Sequence, residues 1–165
     1  MKKGVFVLFF LFVGFLFLDG TNVGASGPKV PPFELNSLRG EKFTEEALSG
    51  KVTLVVFWAS WCGTCREELP KVHDLQERMK GKPFQAVAIG FKDSEANIRK
   101  YVGSHPKLFS FPVLYDAGDQ VARRFGANFT PTLFLLDKKG ELVMAVSGPG
   151  MIESARFHAA LERLL

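Results

Sequence analysis

The chain has 165 residues, of which 47% are hydrophobic, so it has room for one domain with a sizeable core. The formal net charge of +4 is a weak bias, and no stretch combines clustered Lys and Arg with aromatic residues. This pattern argues against nucleic-acid binding. The two cysteines are Cys62 and Cys65. A bridge between them closes too short a loop to stabilise the chain much, which argues against a structural disulfide.

The first segment has the pattern of an export signal. Two lysines precede an uncharged, Phe-rich run at residues 5–18, which is shorter than the roughly 20 residues needed to cross a bilayer. Val23 and Ala25 occupy the small-residue positions of a cleavage site, so residues 1–25 are predicted to be a signal peptide. The alternative is an uncleaved anchor that tethers the domain through residues 5–18. Both interpretations predict a periplasmic or other extracytoplasmic location.

A linker rich in Pro and Gly is predicted at residues 26–32, followed by one domain at residues 33–165. Hydrophobic periodicity and turn residues predict strands at 33–35, 41–43, 52–59, 84–89, 112–115, 132–136 and 142–147. Helices are predicted at 44–48 (one turn), 62–80, 94–103, 119–125 and 152–164. The strand, helix and strand within residues 52–89 form a βαβ unit, which requires a right-handed crossover.

The cysteines carry the predicted chemistry. Cys62 lies at a strand-to-helix turn, where unpaired backbone N–H groups and the helix dipole favour its thiolate form. Cys65 lies one turn into the helix and is expected to be more buried. We therefore predict a reversible dithiol in which Cys62 forms the mixed disulfide and Cys65 resolves it. A zinc site would need further ligands at a suitable spacing, which the sequence lacks, so no metal and no other cofactor is predicted.

Several segments carry a family resemblance. Residues 55–65, Val-Val-Phe-Trp-Ala-Ser-Trp-Cys-Gly-Thr-Cys, resemble the active-site strand and turn of thioredoxin. Residues 66–70 and residues 127–134, Ala-Asn-Phe-Thr-Pro-Thr-Leu-Phe, are similar to the TlpA/ResA-like branch of exported thioredoxins. This resemblance covers about residues 32–165. It implies an α/β thioredoxin fold with a central mixed sheet flanked by helices, an N-terminal strand extension, and a strand-helix insert at residues 94–125.

The resemblance also implies roles for residues beyond the cysteines. Pro131 is expected in the cis form beside the disulfide, with the Thr130 backbone presented to an extended substrate segment. Thioredoxin has a buried aspartate where this chain has Val56, and the TlpA/ResA-like branch has an active-site glutamate at the position of Glu68. We expect Glu68 to exchange protons with Cys65. The alternative is that Glu68 is an ordinary solvated helix residue.

Three residues around the cysteines complete the expected substrate-binding site. Trp61 is expected to form an apolar rim that meets the partner, whereas Trp58 is expected to be buried in the strand. Gly63 and Thr64 separate the cysteines and are expected to tune the redox potential of the pair. These residues extend the predicted site from the sulfur atoms to the surface around them.

The resemblance implies an exported thiol:disulfide oxidoreductase that reduces cysteine pairs in other exported proteins, for haem attachment or copper-site assembly. The expected partners are an apocytochrome c and a membrane thiol-electron donor. Three alternatives remain open. They are an oxidant that introduces disulfides, a copper-binding chaperone that uses the cysteines as soft ligands, and a peroxidase of the peroxiredoxin type.

Overall fold

The computed structural model describes residues 27–165. In this part of the chain the strands are β1 (Glu34–Asn36), β2 (Lys42–Thr44), β3 (Val52–Trp58), β4 (Phe84–Gly90), β5 (Val113–Tyr115), β6 (Thr132–Leu136) and β7 (Leu142–Ser147). The α-helices are α1 (Gly63–Arg78), α2 (Glu95–Ser104), α3 (Gln120–Phe125) and α4 (Ala155–Leu164). Short 3-10 segments lie at Glu45–Leu48 and Ala117–Asp119.

One mixed sheet organises the domain, with the strand order β5-β4-β3-β6-β7. β3 pairs in parallel with β4, and β4 with β5, while β6 runs antiparallel to both β3 and β7. Every residue of β3 is buried, which is the burial expected of a central strand with a continuous apolar sequence. The predicted central mixed sheet flanked by helices is confirmed.

Alternation along β3 divides the core into two layers, because successive side chains of a strand point to opposite faces of the sheet. One layer, here called the cysteine face, joins alternate β3 side chains to α1, α4 and both cysteines; its β3 members are Val52, Leu54, Val56 and Trp58. The other layer, here called the phenylalanine face, joins Val55 and Phe57 to α3 and to the residues around β1 and β2.

The N-terminal extension is a separate antiparallel pair, β1 with β2, as predicted. Residues 27–30, which the sequence assigns to a linker, also pair with the main sheet. Gly27 N–H donates to the Leu142 carbonyl at 2.7 Å, and Lys29 forms an antiparallel bridge with Glu141. Among the described residues, ordered backbone pairing therefore begins at Gly27, before the predicted domain start at Phe33, and these residues lie alongside the start of β7.

The predicted leader at residues 1–25 lies outside the described residues. Within residues 27–165, no helix combines the length and the apolar character needed to span a membrane.

Most element boundaries agree with the predictions to within a residue or two, but the last helix does not. The sequence predicts its start at residue 152, but the helix begins at Ala155. Ser154 ends the preceding turn and caps the helix, since its hydroxyl accepts the Phe157 N–H at 3.1 Å. A capping serine defines a helix start more strongly than the apolar residues before it.

Candidate active site

The predicted site residues meet at one edge of the main sheet. β3 ends at Trp58 and leads through a short turn into α1, which begins directly after Cys62. β6 runs antiparallel to β3, with Thr132 opposite Phe57. This register brings Thr130 and Pro131, which precede β6, to the sheet edge where the cysteine turn lies.

Cys62 and Cys65 form a disulfide, with 5.3 Å between their Cα atoms. Cys62 is the N-cap residue of α1, and its sulfur accepts the Cys65 N–H at 3.1 Å. Cys65 is fully buried, while Cys62 is 4% exposed. The order of burial is as predicted, but Cys62 as a whole residue is more buried than its position in a turn suggests. Attack at Cys62 therefore requires close docking of the partner.

The two residues between the cysteines differ in what they contribute. Thr64 places its hydroxyl oxygen 3.4 Å from the Cys62 sulfur, so the hydroxyl can donate to a thiolate there. Gly63 is exposed, its backbone has ordinary negative φ, and a Cβ atom added there would meet nothing within 4 Å. The fold does not require glycine at this position, and its small size leaves the surface beside Cys62 open.

Two exposed aromatic side chains are next to the site residues in sequence. Trp61 is 59% exposed and Phe129 is 69% exposed, and they directly precede Cys62 and Thr130. Trp58 is fully buried, so the expected difference between the two tryptophans is confirmed. Phe129 is not among the site residues that the sequence predicts. The sequence feature that could have indicated it is a large apolar residue outside any predicted strand or helix, two positions before Pro131.

The Thr130–Pro131 peptide bond is cis, as the resemblance implied. Pro131 is buried, and its carbonyl accepts the Gly148 N–H at 2.8 Å. The Thr132 hydroxyl donates to the Phe129 carbonyl at 2.7 Å and closes the turn. Within residues 27–165, no hydrogen bond engages the backbone N–H or C=O of Thr130. Those two groups remain able to pair with another chain.

Glu68 is fully buried on α1, so it is not a solvated helix residue. Its Oε1 atom accepts the Gly150 N–H and the Lys71 ammonium, both at 3.0 Å. Its Oε2 atom is buried without a hydrogen-bond partner among the described residues. Lys71 also pairs with Glu153 at 2.8 Å. Hydrogen bonds to Glu153 and Glu68 raise the pKa of Lys71, so a cation stays beside the buried carboxyl group.

A second carboxylate fixes the turn that leads into Cys62. Asp93 accepts both the backbone N–H and the hydroxyl of Ser60, at 2.8 and 2.6 Å. Partial burial raises the pKa of Asp93, but hydrogen bonds from Ser60, Asn97 and Ser94 outweigh it, so the pKa lies below its usual range. Arg66 donates to the Ser60 carbonyl at 2.8 Å. The turn is held from two sides.

The fold and the site together define a class of protein. A thioredoxin fold whose cysteine pair caps the helix after the central strand is that of a thiol:disulfide oxidoreductase, and the geometry suits this chemistry, because the helix N-terminus favours a thiolate at the first cysteine.

Comparisons with known proteins agree. The sequence pattern of the Redoxin family matches residues 25–160. Thiol-disulfide oxidoreductase ResA of Bacillus anthracis is 30% identical over 122 residues, which are 74% of this chain and 69% of that protein. The chain belongs to the Redoxin family and, within it, to the TlpA/ResA-like thioredoxin-fold proteins.

Solved structures show the same fold. A candidate thiol:disulfide interchange protein DsbE from Chlorobium tepidum is 31% identical with a TM-score of 0.72, and the match covers 84% of this chain and 94% of that one. A candidate thioredoxin from Neisseria meningitidis is also 31% identical, with a TM-score of 0.73 and coverage of 84% and 90%. Both support the thioredoxin fold of the part of the chain that they cover.

Proposed function

We propose that this protein reduces disulfides in exported partner proteins, in the manner required for cytochrome c maturation or copper-site assembly. The observation that carries the proposal is the Cys62–Cys65 disulfide at the start of α1, with the buried carboxyl group of Glu68 one helical turn beyond Cys65. This arrangement supplies a stabilised attacking thiolate, a protected resolving thiol and a group that can accept the proton of that thiol.

The proposed reaction begins with the reduced protein. The Cys62 thiolate attacks one sulfur of the partner disulfide, forms a mixed disulfide and releases the other partner sulfur as a thiolate. Glu68 takes the proton of Cys65, and the Cys65 thiolate attacks the Cys62 sulfur. The Cys62–Cys65 disulfide forms again, the second partner thiolate leaves, and two electrons have passed to the partner. The two released thiolates then take up protons, one of them equivalent to the proton that Glu68 took from Cys65, so atoms and charge balance.

Partner binding would involve the free backbone groups of Thr130. An extended partner segment can pair with them in the way that strands add to a sheet edge, and Pro131 lies directly beside them in sequence. Trp61 and Phe129 supply exposed apolar surface next to this segment, while Gly63 and Thr64 lie at the sulfur itself. A Cys-x-x-Cys-His segment of an apocytochrome c, held extended, is the proposed partner.

The proposed location is outside the cytoplasm. Residues 1–25 would act as a signal peptide, or residues 5–18 as a membrane anchor, and the domain would then be at residues 33–165. Because each turnover leaves the oxidised pair, the cycle needs a donor of two electrons. A membrane thiol-electron donor fulfils this requirement.

The midpoint potential of the Cys62–Cys65 couple tests the direction of electron flow. The full-length chain would be equilibrated in thiol buffers of defined potential, and its free thiols trapped and counted. A value near or below about −230 mV, in the range of thioredoxin and glutaredoxins, supports a reductant. A value near about −120 mV, as for a strong periplasmic oxidant, contradicts it and favours a protein that introduces disulfides.

The partner class is tested with an oxidised Cys-x-x-Cys-His peptide. The reduced protein is expected to reduce it faster than a peptide of the same composition in which the two cysteines are far apart. Equal rates with the two peptides would argue against an apocytochrome-like partner while leaving the disulfide chemistry intact.

A further inference from the structure

Lys92, in the loop between β4 and α2, has an unusual backbone. Its φ of 51° is in the left-handed region, which residues other than Gly, Asn and Asp rarely adopt. Within residues 27–165, the other non-glycine residue with positive φ is Asp119. The two are joined, since the Lys92 N–H donates to Asp119 Oδ1 at 2.7 Å. Strained positions of this kind often occur at functional sites.

The remaining groups of Lys92 contact the two segments that carry the exposed aromatic side chains. Its carbonyl accepts the Trp61 indole N–H at 2.9 Å. Its ammonium group donates to the Asn128 carbonyl at 2.6 Å, and Asn128 directly precedes Phe129. The ammonium also lies 5.6 Å from the centre of the buried Phe91 ring, within the range of a cation–π contact.

We propose that Lys92 is a positioning residue that holds Trp61 and the Phe129 loop in place before a partner binds. The left-handed backbone allows one residue to use its N–H, carbonyl and side chain in three separate contacts. Two exposed aromatic residues on a turn and a loop would otherwise have to be ordered by the partner, which weakens binding. This inference rests on the proposed function only in assigning Trp61 and the Pro131 region to partner binding.

The first test compares Lys92→Met with Lys92→Arg. Methionine keeps the length of the side chain and the backbone contacts but loses the donor to Asn128, whereas arginine keeps a donor and the charge. Lys100→Met is the matched control, because Lys100 is an exposed lysine on α2 and the change removes the same charge. All variants would be made in the full-length chain.

Kinetics with the oxidised Cys-x-x-Cys-His peptide provide the functional readout. We expect Lys92→Met to raise KM about fivefold, the effect of losing one exposed charge-assisted hydrogen bond, while kcat stays within about twofold. Lys92→Arg should restore KM, and Lys100→Met should not change it. Reduction of oxidised glutathione, which lacks the extended segment of the peptide, should be unaffected. A KM equal to that of Lys100→Met, or an equal loss with glutathione, would overturn the proposal.

NMR of the free protein separates this proposal from the proposed function, because it requires no substrate. In Lys92→Met, the Phe129 amide signal should shift, because the side-chain donor to the preceding Asn128 carbonyl is lost. The Trp61 indole N–H signal should stay unchanged, because its acceptor is the Lys92 backbone carbonyl. If the Phe129 amide signal matches that of Lys100→Met, the Lys92 side chain does not position the Phe129 loop, whatever the substrate is. If it shifts but the unmodified protein does not reduce the peptide, the positioning stands and the proposed partner is wrong.

Discussion

The two faces of the sheet differ in the side chains that they bury. On the phenylalanine face, Phe57 lies 5.2 Å from the ring centre of Phe125 and 5.7 Å from those of Phe91 and Phe134. The cysteine face instead buries Glu68 Oε2 and the Trp58 indole N–H without hydrogen-bond partners among the described residues. An unpaired buried polar group costs about 1–3 kcal/mol. The difference indicates that the phenylalanine face mainly stabilises the domain, whereas the cysteine face holds unpaired polar groups at a cost in stability.

The largest expected effect on stability is on the phenylalanine face. Phe57→Ala should lower the free energy of unfolding by about 3–5 kcal/mol, because it opens a cavity among tightly packed rings. The disulfide exchange rate per folded molecule should not change. Denaturant unfolding gives the first quantity, and exchange kinetics in buffer give the second. A rate that falls after correction for the folded fraction would mean that the two faces are not separate in function.

The largest expected effect on chemistry is on the cysteine face. Glu68→Gln should slow disulfide exchange about 100-fold at neutral pH, the scale of a lost general base. Its free energy of unfolding should change much less than the exchange rate, because the amide oxygen of glutamine can still accept from Gly150 and Lys71. Stopped-flow kinetics across the pH range would measure the rate.

Glu67→Gln is the matched control for this comparison. Glu67 is the exposed neighbour of Glu68 on α1, so its replacement should leave both the rate and the pH profile unchanged. A Glu68→Gln protein that kept the pH profile of the unmodified protein would rule out proton exchange between Glu68 and Cys65. The unpaired oxygen would then have no assigned use in the reaction.

The smallest expected effect concerns Asp93, whose contacts lie in the active-site loops and not within either face. Its pKa in the folded protein is below the ordinary value of 3.8, so its contribution to stability is present above that pH and is lost as the pH falls through the folded-state pKa. Asp93→Asn should therefore cost about 1 kcal/mol at pH 7, since solvent screens a partly exposed group. The cost should shrink as the pH falls below 3.8 and through the lower folded-state pKa.

The control for Asp93 is Asp74→Asn, an exposed position on α1. Thermal or denaturant unfolding at several pH values would compare the two variants. Equal pH dependence in both would show that the hydrogen bonds from Ser60 do not stabilise the loop in the folded protein.

The parts of the site that the sequence could predict are those with a local signal. The apolar run of β3, the turn before α1 and the placement of Cys62 as its N-cap follow from strand and helix patterns within a few residues. The cis bond at Pro131 came from the family resemblance, because an X-Pro sequence alone does not indicate its isomer.

The features of the site that the sequence could not predict depend on contacts between residues far apart in the chain. Gly150 donates to Glu68 across 82 residues of sequence, and Lys92 contacts Trp61 and Asn128 across 31 and 36 residues. Neither Gly150 nor Lys92 has a sequence signal that distinguishes it from ordinary loop residues. Only the packing of loops at one sheet edge brings these groups together.

The most direct test of the account is to trap the mixed disulfide. Cys65→Ser and Cys62→Ser proteins would each be mixed with the oxidised Cys-x-x-Cys-His peptide, and the covalent products located by mass spectrometry. The account predicts that Cys65→Ser accumulates peptide on Cys62, and that Cys62→Ser forms little product because Cys65 is fully buried. Peptide captured on Cys65 at a comparable rate would contradict the assignment of Cys62 as the attacking residue.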